Sequence, residues 1–347
     1  MTRFRVALGV IVAAIAAVVA ITLVRPPSPP SATSATAGAV VAASERPKAP
    51  DFTGIDAWIN SPPLSLPALR GRVVLIDFWT FSCVNCVRTI PHLRQLDSDY
   101  RGQGLRIVGV HSPEFDFEKR VNNVRAAVQR LGVTWAVAVD SRMATWNAFN
   151  NRYWPAEYLI DQQGRIAYTN FGEGRYQETS AAIASLLSTH PASPPAATEL
   201  PSDITGELYA GSERGTLADD ETYGGVGQPR QYADTGPPHA RDEIQVTGTW
   251  TDHGQYLSAV TAGHVRLEFH GDSAYVVAGG GGRSASVTVT LDGAPVVPAV
   301  AGPALRDSAL VVSTQDLYPL LTGVSPGYHL IDLAVPAGFQ LYTFTFG

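Results

Sequence analysis

The sequence predicts an α/β domain followed by an all-β domain, with an apolar segment at the N-terminus. Strand and helix patterns alternate over 51–190, strands of period two begin near residue 203, and an uncharged run covers 6–24. The length of 347 residues fits two domains with additional segments. Because the formal net charge is −6 and only 16% of the residues are charged, we expect no basic surface for nucleic acid.

Residues 1–25 predict a cytoplasmic N-terminus and a transmembrane signal anchor. The run from Val6 to Val24 has nineteen residues and no charge, so as a helix it is long enough to cross the hydrocarbon core of a bilayer. Arg3 and Arg5 precede the run, and the positive-inside rule therefore places the N-terminus in the cytoplasm. We expect a single-pass protein of the cell membrane with most of the chain extracytoplasmic. The alternative is a secreted protein, cleaved at a small-residue site such as Ala35-Thr36-Ala37.

Two segments rich in proline, alanine and small polar residues predict the boundaries between the domains. They cover 26–50 and 191–202, and neither has enough bulky apolar residues to bury a core. The predicted globular domains are therefore 51–190 and 203–347.

The first domain alternates between strand and helix patterns. Runs of apolar and β-branched residues predict strands at Val73–Trp79, Leu105–His111 and Trp135–Asp140. Apolar residues at helical spacing predict helices at Cys83–Tyr100, at Phe115–Leu131 and near Met143–Phe149. The last predicted elements are a hairpin of Tyr158–Asp161 with Arg165–Phe171 and a closing helix at Tyr176–Ser188. This order predicts a mixed sheet with helices on both faces.

The only two cysteines of the chain, Cys83 and Cys86, fall where the first strand passes into the first helix. The sulfur of Cys83 is expected near the positive end of the helix dipole, which stabilises a thiolate. Cys86 follows one turn later on the same helix face and can close a disulfide with Cys83. An accessible thiolate with a resolving thiol behind it is suited to thiol–disulfide exchange.

Two structural interpretations compete with redox chemistry at this pair. A zinc site needs about four ligands, but the sequence has no second C-x-x-C and His92 falls within the helix. A structural disulfide between Cys83 and Cys86 would close a very short loop, which yields little entropic stabilisation. The sequence therefore favours redox chemistry over both.

The stretch from Asp77 to Pro91 resembles thioredoxin-fold thiol–disulfide oxidoreductases of the TlpA/ResA type. It is most similar to the periplasmic thioredoxin-like region of DipZ-type proteins, and Pro91 matches the helix-kinking proline of the family. Trp154-Pro155 resembles the cis-proline loop that faces the disulfide. The resemblance implies a thioredoxin-like fold, a redox-active Cys83–Cys86 disulfide without a further cofactor, and protein thiols and disulfides as partners.

The resemblance and the local chemistry together predict four catalytic residues. Cys83 forms the mixed disulfide with the substrate, and Cys86 resolves it. Asp77 lies inside an apolar strand, where burial raises the pKa of a carboxyl group, so it could accept the proton of Cys86. A carboxylate satisfied by backbone donors is the alternative for Asp77. The resemblance implies that Pro155 is cis and presents backbone to the substrate, whereas the alternative is an ordinary trans turn proline.

Four further residues are candidates for supporting roles. Glu114 resembles an acid near the active site of TlpA/ResA-type domains, or it is a carboxylate that stabilises the start of a helix. Trp79 is expected to pack beside the disulfide, and Trp154 to lie in the cis-proline loop. We expect Asn85 to be exposed and to affect the thiols or a partner. Two other side chains of the first helix are expected to be solvated, namely Arg88 and His92.

The C-terminal part of the sequence loses helical periodicity from about Asp203. Strictly alternating runs at Val265–His270 and Ser286–Leu291, with short strands at Tyr328–Ala334 and Leu341–Phe346, predict an antiparallel sandwich or jelly roll. The last of these runs resembles the end of the β-sandwich appended to DipZ-type proteins, which implies a fold similar to carbohydrate-binding modules. Four aromatic residues could stack on an envelope glycan or belong to the core: Tyr209, Tyr223, Trp250 and Tyr256.

The sequence therefore favours a membrane-anchored, extracytoplasmic thiol–disulfide oxidoreductase acting on protein substrates. One alternative is a redoxin-like peroxide reductase, which needs a reactive thiolate in a peroxide pocket. Another is an envelope- or glycan-binding protein that uses the β-sandwich. Because a single span at 6–24 has no cysteine, a reducing role would require a membrane partner that donates or accepts electrons.

Overall fold

The computed structural model describes residues 40–191, 203–218, 222–237, 239 and 241–347. The predicted signal anchor at 1–25 lies outside the described residues, as does most of the first predicted linker. Within the described ranges, no helix combines the length and the apolar character needed to span a membrane. Both predicted globular domains belong to one compact unit over 37–347.

A mixed β-sheet forms the centre of the first domain. Its strands are β1 (Ala57–Ile59), β2 (Val73–Trp79), β3 (Leu105–His111), β4 (Ala136–Val139), β5 (Ala156–Ile160) and β6 (Ile166–Phe171). They lie in the order β1-β4-β3-β2-β5-β6. Strands β2, β3 and β4 pair in parallel, and the other pairs are antiparallel. This is the mixed sheet that the alternating pattern predicts.

Helices cover both faces of this sheet, as the sequence predicts. They are α1 (Val84–Tyr100), α2 (Val121–Arg130), α3 (Ala144–Ala148) and α4 (Tyr176–Leu187), with short 3-10 turns at Pro67–Leu69, Arg101–Gln103 and Asp116–Lys119. Successive residues of a strand point to opposite faces. Val73 and Leu75 of β2 therefore pack in a cluster with α1, α2 and α4, whereas Ile76 and Phe78 pack with the aromatic side chains beside α3.

The helix predicted over 115–131 is divided in two. A 3-10 turn at Asp116–Lys119 ends at Arg120, which has an extended backbone, and α2 begins only at Val121. The cause is Glu118, whose carboxylate turns back to accept hydrogen bonds from the backbone N–H groups of Glu114 and Phe115 at 2.6 and 3.0 Å. The carboxylate thus binds the backbone N–H groups at the start of the short turn, which would otherwise lack an acceptor. The turn is therefore stable by itself and need not continue into α2.

The first linker was predicted to extend to residue 50, but residues 40–50 pack along the hairpin of β5 and β6. The N–H of Val41 donates to the carbonyl of Ala167 at 2.8 Å, and that of Ala49 to the carbonyl of Gly164 at 3.0 Å. Arg46 forms a salt bridge of 3.0 Å with Asp161. Strand β6 is at the edge of the sheet, and its unpaired backbone groups are free to bind another chain segment. Residues 40–50 occupy this edge, although they have too few apolar side chains to form a core of their own.

The second domain is a sandwich of two antiparallel sheets, as the alternating strands predict. Its strands are β7 (Leu208–Tyr209), β8 (Pro229–Tyr232), β9 (Gln245–Val246), β10 (Gly248–Asp252), β11 (Leu257–Ala259), β12 (Gly263–His270), β13 (Ala274–Gly279), β14 (Ala285–Leu291), β15 (Ala294–Pro295), β16 (Leu305–Arg306), β17 (Ala309–Val312), β18 (Asp316–Leu321), β19 (Tyr328–Val335) and β20 (Gln340–Phe346). One sheet has the order β18-β13-β20-β11-β10-β8 with β7 beside β20, and the other β16-β17-β14-β19-β12-β9 with β15 beside β14. The apolar sides of both sheets meet in one core.

The two domains share a hydrophobic cluster. Phe115 and Phe117 of the first domain contact Tyr342 on β20, with ring centroids 5.2 and 5.0 Å apart. Ion pairs flank this contact, because Arg214 of the second domain lies 2.7 Å from Glu114 and Asp316 lies 2.7 Å from Arg130 of the first. Because buried apolar surface is the main stabilising term of a core, the domains support each other.

The four aromatic residues proposed for glycan stacking do not form an open platform. Trp250 is 1% exposed and donates its indole N–H to the core carbonyl of Thr247 at 2.8 Å. Tyr256 has both ring faces occupied, since it stacks on His253 at 4.5 Å and on Tyr342 at 4.7 Å. The other two are also engaged. Tyr223 bonds to Ala210, and Tyr209 lies under the guanidinium of Arg214.

Candidate active site

The two cysteines lie where β2 passes into α1. Cys83 is the N-cap of α1, and its sulfur accepts a hydrogen bond of 3.4 Å from the backbone N–H of Cys86. Both residues are free thiols; Cys83 is half-buried and Cys86 is buried. The amide donor and the helix dipole both favour negative charge on the sulfur of Cys83. Burial and the hydrogen bond with Cys83 raise the pKa of Cys86, so that thiol needs a base in order to react.

Two buried carboxyl groups lie beneath the cysteines. Asp77 of β2 pairs in register with Glu157 of β5, and both side chains are almost fully buried. Burial and the nearby Glu157 raise the pKa of Asp77 well above its ordinary value. The Asp77 Oδ1 atom has no hydrogen-bond partner in the described part of the chain. The predicted desolvation of Asp77 is therefore confirmed, and its charge also contributes to the raised pKa of Cys86.

Glu157 is a site residue that the sequence analysis missed. Burial raises its pKa to about 7, and its carboxylate accepts a hydrogen bond of 2.8 Å from the hydroxyl of Thr179 on α4. A signal for it was present in the sequence. Glu157 stands two residues after Pro155 in an otherwise apolar strand. A buried acid in such a strand usually forms a hydrogen bond or ion pair, or takes part in proton transfer.

Glu118 is a second missed residue, and it joins the loops on either side of the cysteines. One carboxylate oxygen accepts hydrogen bonds from the hydroxyls of Thr80 and Ser82, at 2.5 and 2.6 Å, and from the N–H of Ser82 at 3.2 Å. The other oxygen accepts from the backbone after β3, as described above. Burial and the charge of Glu114 raise the pKa of Glu118 to about 7. The carboxylate thus fixes the backbone that leads into Cys83.

Aromatic rings pack against the other side of the same loop. Trp79 is 2% exposed and belongs to the cluster that contains Cys86, which confirms its predicted packing. His111 lies 5.3 Å from the ring of Trp79 and stacks on Phe81 at 5.5 Å. Burial lowers the pKa of His111 to about 3, so its imidazole is neutral at pH 7 and the site has no cation there.

The peptide bond between Trp154 and Pro155 is cis, as the resemblance implies. Pro155 immediately precedes β5, whose residue Ala156 pairs with Phe78 at the end of β2. The proline therefore lies at the same sheet end as the loop that carries Cys83. Trp154 packs on Trp146 at 4.2 Å and donates its indole N–H to the carbonyl of Ser112 at 3.0 Å, which holds the cis-proline loop to the loop after β3.

Three expectations for the polar residues of this region were wrong. Asn85 is half-buried instead of exposed, and Arg88 donates a hydrogen bond of 2.5 Å to its side-chain oxygen. Arg88 is held in turn by a salt bridge of 2.8 Å to Glu173. His92 is 1% exposed and stacks on Tyr176 at 4.3 Å, and burial lowers its pKa to about 4. The helix face that carries these residues is covered by other parts of the chain.

Glu114 is engaged with the second domain. Its carboxylate lies 2.7 Å from Arg214 and accepts a hydrogen bond of 2.7 Å from the hydroxyl of Tyr209. The same hydroxyl lies 2.7 Å from Glu207. A phenol has one hydrogen and can donate to only one of two carboxylates, so both contacts are hydrogen bonds only if one of the two acids is protonated. Desolvation of its carboxyl group and the charge of Glu114 raise the pKa of Glu207 to about 7, although the residue as a whole is exposed.

The second domain also reaches Cys83 itself. A groove of about 190 Å3 is lined on one side by Cys83, Val84 and Asn85, and on the other by 204–207, Thr345 and Phe346. Across the described residues, no group of three or more histidine, cysteine or acidic side chains is arranged to hold a metal ion. The reactive groups that line this groove are the thiol of Cys83 and the carboxyl group of Glu207.

Comparisons with known proteins agree with this two-domain organisation. A model of the AhpC/TSA family matches residues 46–169, and a model described as a thioredoxin-like C-terminal domain matches 205–347. Protein DipZ of Mycobacterium tuberculosis is 35% identical over 317 residues, which cover 86% of this chain and 43% of DipZ. The chain thus spans less than half the length of that relative.

Two shorter relatives match the first domain alone. Thiol-disulfide oxidoreductase YkuV of Bacillus subtilis is 29% identical over 127 residues, covering 37% of this chain and 85% of YkuV. Thiol-disulfide oxidoreductase ResA of Halalkalibacterium halodurans is 28% identical over 114 residues, covering 33% of this chain and 62% of ResA. Residues 46–169 therefore match the AhpC/TSA family model, and together with the C-terminal domain at 205–347 they resemble DipZ.

Proposed function

We propose that this chain is a thiol–disulfide oxidoreductase that exchanges disulfides with protein substrates through Cys83 and Cys86. The observation that carries the proposal is the hydrogen bond from the N–H of Cys86 to the sulfur of a half-buried Cys83 at the start of α1. It stabilises a nucleophilic thiolate on the accessible residue, while the second thiol stays protected and protonated. The naming of YkuV and ResA as thiol–disulfide oxidoreductases supports the same activity.

In the reducing direction, the thiolate of Cys83 attacks one sulfur of a substrate disulfide. A bond forms between Cys83 and that sulfur, and the other substrate sulfur leaves as a thiolate that takes up a proton. The thiolate of Cys86 then attacks Cys83, closes the Cys83–Cys86 disulfide and releases the second substrate thiol. Two electrons pass from the protein to the substrate, and the oxidising direction is the reverse sequence.

The buried acids supply the proton transfer in this proposal. The thiol of Cys86 must lose its proton before it can attack, and its raised pKa opposes that step. Asp77 acts as the base, because its own raised pKa brings it closer to that of the thiol. Glu157 is close enough to influence the charge of Asp77, so the two acids act as a pair.

The remaining site residues have positioning roles. Pro155 frames the substrate beside the cysteines, and Trp154 holds that loop to Ser112. Trp79 packs behind the thiols, and Asn85, which lines the groove beside Cys83, is oriented by a hydrogen bond from Arg88. Glu114 connects the loop after β3 to the second domain.

We also propose the arrangement of the chain in the cell envelope. Residues 1–25 form the signal anchor, and 26–39 and 191–202 are linkers. The thioredoxin-like domain covers 51–190 with residues 40–50 docked against it, and the β-sandwich covers 203–347. The uncharged run over 6–24 and its preceding arginines support this arrangement. Both domains would then act outside the cytoplasm and exchange electrons with a membrane partner.

Reduction of insulin disulfides by dithiothreitol tests the activity. The wild-type protein should accelerate the reaction, Cys83→Ser should abolish the acceleration, and Cys86→Ser should accumulate a mixed disulfide with insulin. A double variant that lacks both thiols and keeps the wild-type rate would contradict the proposal. Peroxide consumption measured in parallel would favour a redoxin-like peroxide reductase if it greatly exceeded insulin reduction.

A further inference from the structure

The C-terminal domain contributes residues to the groove beside Cys83. We propose that it forms one wall of the substrate groove at Cys83 and that this groove takes an extended polypeptide segment with an apolar side chain next to the substrate cysteine. The inference rests on the proposed exchange of disulfides at Cys83. It adds a binding site that involves both domains.

The first step of the argument is the position of the groove. Cys83, Val84 and Asn85 form one wall, and residues 204–207 with Thr345 and Phe346 form the other. A mixed disulfide places the substrate chain within a covalent bond of Cys83. A substrate segment bound in the groove therefore touches the second domain as well as the first.

The size of the groove limits its occupant. Its volume is about 190 Å3, whereas pockets for drug-sized ligands and cofactors measure roughly 300–1,000 Å3. The space is suited to a short stretch of chain with one large side chain. A folded protein surface would not enter it, so the substrate segment has to be extended.

The groove opens where two strands separate. Tyr209 and Leu208 of β7 pair with Thr343 and Phe344 of β20, and beyond these pairs the chain of 204–207 leaves β20. The other edge of β20 stays paired with β13 as far as Phe346. This wall of the groove therefore consists of β20, which is held by β13, and of residues 204–207, which no longer pair with β20. The space between them can accept an extended substrate chain.

Three apolar side chains line the groove, together with neutral polar groups and one acid, Glu207. Val84 and Phe346 are buried and Ile204 is half-buried, and the lining contains no lysine or arginine. Glu207 lies at one end, where it shares the hydroxyl of Tyr209 with Glu114. An apolar substrate side chain would gain free energy by leaving water there, whereas an acidic one would lose hydration without finding a cation.

The wall keeps its position because the domains are packed together. Tyr342, on the same strand as Phe346, contacts Phe115 and Phe117 of the redox domain. The ion pair between Arg214 and Glu114 lies beside it. These contacts hold β20 against the redox domain, so the groove is present before a substrate arrives and binding does not have to order it.

Gly206 offers a direct test, because a Cβ atom built there meets nothing within 4 Å and the residue is exposed. Gly206→Trp should fill the groove and lower kcat/KM for insulin at least tenfold. The matched control is Gly102→Trp, which is equally open and follows the far end of α1. Both variants should still form the Cys83–Cys86 disulfide and be reduced again by excess dithiothreitol, which would show that the thiols remain reactive and that the loss lies in substrate binding.

Peptide disulfides test the chemistry of the site. Two synthetic peptides with leucine or aspartate beside the cysteine would be compared, and the wild type should reduce the leucine peptide at least tenfold faster. Ile204→Asp should remove that preference. Because Ile204 is only half-buried, this variant is expected to fold and can replace Gly206→Trp if that variant does not. Gly206→Trp within twofold of Gly102→Trp, or equal rates with both peptides, would overturn the inference. Loss of all activity in the wild type would instead reject the proposed function itself.

Discussion

At the scale of single residues, the most informative group is Asp77. Its Oδ1 atom is buried without a hydrogen-bond partner in the described part of the chain, although it stands next to a second acid. Such an arrangement costs stability, because a desolvated carboxyl group loses its interactions with water. The proposed transfer of a proton from Cys86 would give this costly group a task.

We therefore predict opposite effects of Asp77→Asn on rate and stability. Resolution of the mixed disulfide by Cys86 should slow by about 10²-fold, which is the usual contribution of a general base, as measured by stopped-flow release of the substrate thiol. At pH 8 the free energy of unfolding should rise, because the folded-state pKa of Asp77 is raised and the ionised acid is unfavourable there. Asp99→Asn, on the exposed side of α1, should change neither. An unchanged rate would contradict the role of Asp77 as the base.

Glu118 has the opposite character, because both of its carboxylate oxygens are fully used as acceptors. Glu118→Ala would leave buried backbone N–H groups of Ser82, Glu114 and Phe115 without their acceptor. Each unpaired buried donor costs about 1–3 kcal/mol, so we expect the free energy of unfolding to fall by about 3 kcal/mol or more in urea titrations. Glu118→Gln keeps one acceptor oxygen and should cost less. Equal losses for both variants would show that the side chain acts by volume alone.

At the scale of secondary-structure elements, the in-register pairing of β2 with β5 brings Asp77 and Glu157 together. Burial raises the pKa of Glu157 from 4.5 to about 7. A carboxyl group with a raised folded-state pKa contributes its full stability below the unfolded-state value and loses it as the pH rises through the folded-state value. The protein should therefore be less stable at pH 8 than at pH 5.

The expected size of this effect follows from the shift at Glu157. A change from 4.5 to about 7 corresponds to about 3 kcal/mol of unfolding free energy at most. Urea unfolding at pH 5 and pH 8 measures the difference, and Glu157→Gln should reduce it. Glu45→Gln is the control, since Glu45 is exposed. If Glu157→Gln had the same pH dependence as the wild type, ionisation of Glu157 would not be the cause of the lower stability at pH 8.

Most elements could be predicted from the sequence because their side chains decide them. The apolar run of β2 and the helical spacing of α1 are local signals, and the predicted strand at Leu105–His111 coincides with β3. The docking of residues 40–50 depends on hydrogen bonds to backbone groups far along the chain. The break at Arg120 depends on the Glu118 carboxylate, which Thr80 and Ser82 of a distant loop also bind. A single sequence has no local pattern for such bonds, so these features became visible only in the structure.

The residues of the active site also divide into those with a local sequence signal and those that depend on contacts with distant parts of the chain. Cys83, Cys86 and Asp77 were found because they stand out from their local sequence, and Pro155 was found by resemblance. Glu118 and Glu157 escaped because their partners come from other elements, namely the loop before Cys83 and α4. His92 was misjudged because the cover over α1 is supplied by Tyr176, far along the chain.

At the scale of the whole molecule, the two domains should unfold together. One hydrophobic cluster contains residues of both, including Phe117 and Tyr342. Phe117 in turn lies 5.8 Å from Phe81, which precedes Cys83 by two residues. The contact between the domains is thus continuous with the packing around the active site, and loosening one should affect the other.

Tyr342→Ala tests this coupling. Tyr342 is 3% exposed, and loss of a large buried aromatic side chain costs about 3–5 kcal/mol. Calorimetry should find one unfolding transition in the wild type and two in the variant, because the shared core no longer joins the domains. KM for insulin should rise more than kcat falls, since the loss of Tyr342 displaces the wall of the groove directly and reaches the loop before Cys83 only through Phe117 and Phe81. Tyr328→Ala, at a side chain that is 43% exposed, should retain the single transition and the wild-type KM. Two transitions in the wild type itself would mean that the domains are thermodynamically independent and that the groove wall is not held by this contact.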